Sequence, residues 1–511
     1  MALLLYAPAL DGPFLSDDWP VLQDPALQSL EWENLAEILD PRGGPAARTA
    51  NYAPLHLLAH ALEIRWFGAE TRGYHVVNVL IHALNALLLM LLLRTGPLPW
   101  SLAALGGAFF LVHPANVEAV AWIFQLKTQL AFALAASALL LREGRPALAA
   151  LLFAAALLCK ISAVAVLPVA AALAWSRGRR AHRDWAWLGV WLVLALAVAV
   201  PELAAFRHAG EFRAADAAPL GQRLPFVVEI AARYAVLGLT SLGASSFHEP
   251  EPPESWLEPW PLAGLALLSV VALRTLRALA GRRPEAAWWL WCAAGFLPVS
   301  QLFAFRFPMA DRYLYFMLPG LIGALLLAAE PWLRGGRRLP LAALAALALL
   351  GLSAHTTQRA AVWSSGEALV RDAASHYPGG VQAQLLRATE RARGGDPEGA
   401  LAALEAAAAG GFGDFETLRS DPSFRALHGR PRFEALTARM ADAWIARTEA
   451  RPSLGSADLR RLGRVHAGRG DHARALDAFE RALAIAPAEE EAEIRVELLR
   501  ARGALERGRG Q

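Results

Sequence analysis

Long apolar runs separated by short polar loops dominate the chain up to about residue 355. They cover residues 74–94, 98–112, 117–141, 146–158, 161–175, 185–205, 257–276, 286–305, 313–331 and 339–355, and the apolar stub MALLLYAPAL precedes them. A helix needs about 20 residues to cross the hydrocarbon core, although short paired helices can suffice inside a bundle. The pattern predicts an all-α, polytopic membrane helix bundle over residues 1–355 with about eleven transmembrane helices, the stub being the end of the first.

Arginine-rich loops predict the orientation of these helices, because short cytoplasmic loops are enriched in basic residues. The basic positions are Arg94 and those within 142–145, 177–183, 274–283 and 334–338. Alternation then places the opposite loops on the extracytoplasmic face: 11–73, 113–118, 206–256, FRFPMADRY and the C-terminal tail. The segment 224–243 is apolar but contains Glu229 and Arg233, which favours an interfacial or re-entrant helix.

From about residue 356 the composition changes to Arg, Glu, Ala and Gly with helical periodicity, which predicts a soluble domain over 356–511. Residues 456–487 match a tetratricopeptide unit, with Gly463, Gly470, Ala475, Phe479, Ala482 and Pro487 at the expected offsets. Residues 381–407 form a weaker unit, and 415–436 a degenerate helical pair. The sequence predicts an extracytoplasmic tetratricopeptide-like helical repeat domain, serving as a spacer or as a docking surface for a peptide or protein.

Composition supports a membrane protein. Of the 511 residues 56% are hydrophobic, mean hydropathy is +0.33 and net charge is only +3, which argues against nucleic-acid binding. Cys159 and Cys292 lie in apolar segments, so neither a disulfide framework nor a zinc site is implied. Of the 49 basic residues only Lys127 and Lys160 are lysines.

Polar residues collect at the predicted extracytoplasmic ends of the helices. They are Asp17 and Asp18, His113 and Glu118, Lys160, and Asp311 with Arg312. Each has an ordinary alternative: an acidic pair in a loop is usually solvated or an N-cap, a lysine can snorkel, and an adjacent acid and arginine can pair with each other. Their coincidence on one face indicates a site for an anionic, lipid-borne substrate, where cations hold a phosphate and a carboxylate accepts a proton.

Six motifs occur in the order FLSDDW, YAPL, GYHVVNVLIHALNALLL, HPANVEAVAW, CKIS and ADRYLY, and a tetratricopeptide tail follows them. In this combination the chain resembles the transmembrane and tetratricopeptide-repeat O-mannosyltransferase-like proteins of the C-type glycosyltransferase superfamily. The resemblance implies a transferase that needs no metal and no cofactor. Its substrates would be a polyprenyl-phosphate sugar and an acceptor hydroxyl.

The resemblance also implies roles for individual residues. Asp17 would be the catalytic base with Asp18 beside it, and Lys160 and Arg312 would hold the carrier phosphate. His113 and Glu118 would line the same pocket, and Asp311 stands where the family commonly has glutamate.

Three hypotheses remain from the sequence. The first is a membrane glycosyltransferase that moves a mannose-like sugar to a protein or glycan acceptor on the extracytoplasmic face of a bacterial inner-membrane-type bilayer. The second is a non-catalytic membrane-anchored tetratricopeptide scaffold for envelope proteins. The third is a polymerase or ligase of lipid-linked glycans, against which the repeat tail argues mildly.

Overall fold

The computed structural model describes residues 1–178, 182–208, 219–304, 307–333, 338–450, 454–486 and 488–509. The chain separates into two compact units, Met1–Pro378 and Gly379–Gln511, and each is described by itself. Parts of the predicted arginine loops (179–181 and 334–337), parts of the predicted external regions (209–218, 305 and 306) and Pro487 lie outside the described residues.

All regular structure described in the first unit is helical. Its α-helices are α1 (Ala2–Leu5), α2 (Asp18–Leu22), α3 (Trp32–Leu39), α4 (Gly44–Thr49), α5 (Pro54–Phe67), α6 (Thr71–Arg94), α7 (Trp100–Leu111), α8 (Val117–Ala121), α9 (Leu126–Leu141), α10 (Pro146–Cys159), α11 (Val166–Arg177), α12 (His182–His208), α13 (Leu220–Thr240), α14 (Pro259–Ala280), α15 (Glu285–Phe296), α16 (Leu314–Leu333), α17 (Arg338–Val362) and α18 (Gly366–His376). Three short 3₁₀ turns, Pro114–Asn116, Ile161–Ala165 and Asp311–Tyr313, adjoin or contain the predicted site residues.

Five helices within the described ranges are long and apolar enough to cross a membrane. They are Thr71–Arg94, Ile123–Leu141, His182–Phe206, Pro259–Ala280 and Asp311–Glu330. A sixth span results if Trp100–Leu111 and Pro114–Ala121, which meet at a bend of 52°, count as one. The apolar helices Pro146–Cys159 and Ile161–Arg177 are shorter. The chain thus has the helices of a polytopic membrane protein, and the number eleven stays a prediction.

The bent pair leaves backbone carbonyls without partners inside their own helix, and polar side chains of the first unit satisfy them. His82 Nε2 lies 3.1 Å from the Leu111 carbonyl oxygen, and Thr356 Oγ1 donates to the Val112 oxygen at 2.6 Å. Asn116 Nδ2 donates to the Phe110 oxygen at 2.7 Å. Such pairing is required because an unpaired backbone carbonyl in hydrocarbon is costly. These polar residues therefore stabilise the break.

A clamp of polar contacts fastens the loop after α13 to α17 and α18. Ser246 donates through its backbone nitrogen to Asp372 Oδ2 at 2.8 Å and through its hydroxyl to the Leu369 oxygen at 2.6 Å. Arg359 Nη2 donates to the same Asp372 oxygen at 3.0 Å. The soluble composition that starts near residue 356 therefore begins inside α17, and α18 belongs to the first unit.

The second unit consists of helical pairs. Its α-helices are α19 (Val381–Arg393), α20 (Pro397–Ala409), α21 (Phe415–Ser420), α22 (Pro431–Glu449), α23 (Ser456–Gly468), α24 (His472–Ile485) and α25 (Ala488–Arg509). Within the pair α23–α24, Gly470 provides the turn with φ +80°, and a Cβ on Gly463 would lie 2.6 Å from the Phe479 ring. Glycine is thus required for the close approach of the two helices. Their identity as tetratricopeptide units stays a prediction.

Candidate functional site

The two adjacent acids of the first loop have different surroundings. Asp17 is exposed and occupies the N-cap position of α2, yet its side chain makes no capping hydrogen bond. Its Oδ1 accepts a bond of 3.3 Å from the Ser16 hydroxyl, and Ser16 has a left-handed φ of 47°. The Asp17 carboxylate is therefore available to a substrate.

Asp18 is buried and is held by backbone amides. Its Oδ2 accepts from Leu15 N at 2.7 Å and its Oδ1 from Phe124 N at 2.8 Å. The carboxyl lines a small pocket whose walls are mostly apolar. Burial raises the pKa of Asp18 to about 7, because it disfavours the charged form more than the two amide hydrogen bonds favour it. Asp18 thus anchors the loop that carries Asp17 to the start of the helix after Phe124.

Glu118 and Arg312 form a buried ion pair. The Arg312 backbone nitrogen donates to Glu118 Oε2 at 2.8 Å, and its guanidinium pairs with the other carboxylate oxygen. The side chains are 3% and 17% exposed respectively. The guanidinium also lies 5.4 Å from the centroid of the Trp122 ring. Glu118 therefore orients Arg312, so its role in this geometry is to position a cation.

Asp311 pairs with a histidine from a distant loop. Its Oδ1 lies 2.6 Å from His248 Nε2, and His248 Nδ1 lies 3.0 Å from the Tyr377 hydroxyl. Burial raises the pKa of Tyr377 to about 12, so this hydroxyl stays protonated near neutral pH. The chain Tyr377–His248–Asp311 holds the turn that contains Arg312, which is a supporting role.

His113 lies at the break between α7 and α8. It is fully buried, and its Nδ1 accepts a hydrogen bond of 3.2 Å from Ala115 N. Its ring packs against Phe109 at a centroid distance of 5.2 Å. In this position His113 caps the turn after α7, and the described contacts do not bring it to the phosphate-binding candidates.

Lys160 and Arg312 line one small pocket, together with Ser162, Tyr313 and Phe316 among others. Lys160 Nζ donates to Thr128 Oγ1 at 2.8 Å, which leaves two of its three N–H groups for other acceptors. This pocket joins two of the residues predicted from sequence to hold a phosphate.

Six ionisable groups form what we call the charged cluster: Asp17, Glu118, Lys127, Lys160, Glu202 and Arg312. Lys160 interacts electrostatically with Lys127, Arg312, Glu118 and Glu202, and Lys127 and Arg312 each interact with Asp17. Arg312 therefore lies within electrostatic range of both the predicted base and Lys160. Ionisable side chains at membrane depth are costly and generally serve a function.

Sequence reasoning missed Lys127 and Glu202 as site residues. Lys127 carried a signal, since it is one of two lysines in an arginine-rich chain. Glu202 is a lone carboxylate in an apolar run and accepts from Tyr52 N at 2.6 Å. His248 carried no signal, because its partner Asp311 is distant in sequence. Within the described ranges, no group of three or more His, Cys, Asp or Glu side chains could hold a metal ion.

The membrane-length apolar helices define the class, a polytopic α-helical membrane protein that carries the charged cluster. Among curated proteins, the chain is similar to Protein O-mannosyl-transferase Tmtc1 of Drosophila melanogaster, 34% identical over 182 residues, which is 33% of this chain and 21% of that protein. It is 32% identical to Protein O-mannosyl-transferase TMTC1 of Mus musculus over 126 residues, 24% of this chain and 13% of the relative. The human TMTC1 is 32% identical over 127 residues, 24% of this chain and 14% of the relative.

The chain thus matches only about a fifth or less of the length of these curated relatives. No protein-family model and no solved structure matches the chain. The relatives' names agree with the predicted resemblance to O-mannosyltransferases.

Proposed function

We propose that the protein is a membrane glycosyltransferase that moves a mannose-like sugar from a polyprenyl-phosphate carrier to a hydroxyl group of a protein or glycan acceptor on the extracytoplasmic face. The observation that carries the proposal is the charged cluster, in which an exposed carboxylate, Asp17, interacts electrostatically with Lys127 and with Arg312, and Arg312 lines one pocket with Lys160. Relatives named as O-mannosyl-transferases support the reaction class.

In the proposed reaction, Asp17 accepts the proton of the acceptor hydroxyl as its oxygen attacks the anomeric carbon of the sugar. Lys160 and Arg312 bind the carrier phosphate, which leaves with the electrons of the broken sugar–oxygen bond. Cations placed where negative charge develops lower the barrier, because they need no reorganisation during the step. Glu118 supports Arg312, and Asp18 supports the loop of Asp17.

The finer features of the proposal rest on the sequence. They are a bundle of about eleven spans, extracytoplasmic repeats of the tetratricopeptide type that bind the acceptor, and a bacterial inner-membrane-type location. Helical pairs in the second unit support the repeat assignment, since such repeats are stacked helix–turn–helix units.

The test is sugar transfer by the purified protein in lipid from a panel of radiolabelled polyprenyl-phosphate sugars. Asp17→Ala should lower transfer by about a hundredfold to ten-thousandfold, the usual contribution of a general base. Lys160→Ala should also lower it strongly. Asp11→Ala is the matched control, because Asp11 is an exposed acid of the same loop that pairs with Arg72 at 2.9 Å; it should transfer like wild type.

Well-folded wild type that transfers no sugar from any donor would contradict the proposal. It would favour the non-catalytic scaffold instead.

A further inference from the structure

Lys127 is a buried cation that lacks a counter-ion in contact. It is the second residue of α9 and is 7% exposed. Its Nζ lies 4.0 Å from the centroid of the Phe124 ring, and within the described part of the chain it has no hydrogen-bond acceptor and no ion pair. A ring face satisfies an ammonium only in part, because the cation–π attraction replaces few of its lost bonds to water. The ammonium therefore requires an acceptor from outside the chain.

The neighbours of Lys127 indicate what this acceptor is. It interacts electrostatically with Asp17, with Glu202 and with Arg312, and Lys160 interacts with it in turn. Thr128, the next residue, accepts the hydrogen bond of Lys160. Lys127 is thus close to both the proposed base and the proposed phosphate cations, where the bond between sugar and phosphate would break.

The choice of lysine is informative. Only two of 49 basic residues in the chain are lysines, and both belong to the charged cluster. Guanidinium is planar and broad, whereas ammonium is a compact point charge with three donors. A chain that uses arginine almost everywhere else has lysine at two interacting positions, of which Lys127 is buried and Lys160 half-buried, which indicates that a compact charge is needed there.

We infer that Lys127 is a further catalytic residue, whose ammonium donates to the carrier phosphate as the sugar leaves it. The inference rests on the proposed function. The bond between the anomeric carbon and the phosphate oxygen breaks, its electron pair goes to that oxygen, and the carrier changes from a phosphodiester to a phosphomonoester. The anomeric carbon bonds to the acceptor oxygen, and the acceptor proton goes to Asp17. Lys127 meets the charge that develops on the phosphate, so it acts mainly in the transition state.

The test compares wild type with Lys127→Met, which keeps the length and removes the charge, and with Lys127→Arg, which keeps the charge in a larger group. Arg274→Met is the control, since Arg274 pairs with Glu285 and belongs to no part of the charged cluster. Two quantities are measured for each protein in lipid: kcat and donor KM for sugar transfer, and the affinity for sugar-free polyprenyl monophosphate, the product. Melting temperatures identify a variant that fails to fold.

Lys127→Met should lower kcat about tenfold to a hundredfold with little change in donor KM, and weaken product binding by a similar factor, because the product carries the charge that develops in the transition state. Lys127→Arg should recover part of both losses, and Arg274→Met should match wild type. A rise in KM at unchanged kcat would overturn the catalytic role.

The product measurement separates this inference from the proposed function. If wild type transfers no sugar but binds polyprenyl monophosphate less tightly after Lys127→Met, the proposed function fails while the contact with phosphate stands. If wild type and Lys127→Met bind the product equally, or neither binds it, the inference is wrong.

Discussion

Replacing Asp18 by asparagine should remove a defined part of the protein's pH dependence of stability. The folded chain buries this carboxyl and raises its pKa from the ordinary 3.8 to about 7. Between these two values the folded state keeps a proton that the unfolded chain releases. The stability of the protein is therefore highest, as far as Asp18 is concerned, below pH 3.8, and falls as the pH rises to about 7.

The size of this effect follows from the difference between the two pKa values. A separation of about three pH units corresponds to about 4 kcal/mol once Asp18 is fully ionised in both states. Asparagine does not titrate, so Asp18→Asn removes this loss. The variant also loses stability for another reason. The two Asp18 oxygens accept hydrogen bonds from two backbone N–H groups, and in asparagine an amide nitrogen, which cannot accept, faces one of them. This second effect does not change with pH.

The measurement is the melting temperature of the purified protein in lipid or detergent from pH 4 to pH 8. Relative to wild type, Asp18→Asn should gain several degrees as the pH rises through this range. Asp11→Asn, which alters an exposed acid of the same loop that is not among the groups acting on Asp18, should follow the pH curve of wild type. Parallel curves for wild type and Asp18→Asn would refute the argument that burial of this carboxyl controls the slope.

Two further predictions concern packing and the clamp. Gly463→Ala should destabilise the second unit by about 1–3 kcal/mol, because the added methyl group overlaps the Phe479 ring. Gly468→Ala is the control and should leave stability unchanged, since its Cβ meets open space. Thermal unfolding of the protein measures both variants. Asp372→Asn should weaken the bond to Arg359 and make the loop after α13 more susceptible to limited proteolysis. Glu367→Gln on the same helix should leave the cleavage pattern unchanged. Equal cleavage of the two variants would contradict the clamp.

The apolar pattern predicted the main helices well. The runs 74–94, 185–205, 257–276 and 313–331 all correspond to helices of membrane-spanning length, whereas the run 117–141 joins α8 to a span that begins only at Ile123. The run 286–305 was predicted too long, since α15 ends at Phe296 and a 3₁₀ turn follows. Hydropathy measures how apolar a segment is, and it does not reveal where a helix gives way to a turn within an apolar run.

The roles of the candidate site residues stay predictions. Residue type singled out Asp17, Lys160 and Arg312, and in the structure Arg312 interacts electrostatically with each of the other two. Sequence could not show that Asp18 turns inward while Asp17 remains exposed, because adjacent acids have the same composition and differ only in the path of the loop. Nor could it show that Asp311 pairs with His248, since such partners are set by tertiary packing.

The break between α7 and α8 has a consequence for how this chain can evolve. Three carbonyl oxygens at this break, those of Phe110, Leu111 and Val112, pair with polar side chains from elsewhere in the fold or from the turn itself. Loss of one such side chain leaves a carbonyl oxygen without a hydrogen-bond partner. Straightening the helix would instead leave the side-chain donors without their acceptors. Substitutions at these positions are therefore epistatic: each is harmful alone, and homologues should differ there by coordinated replacement of acceptor geometry and donor together.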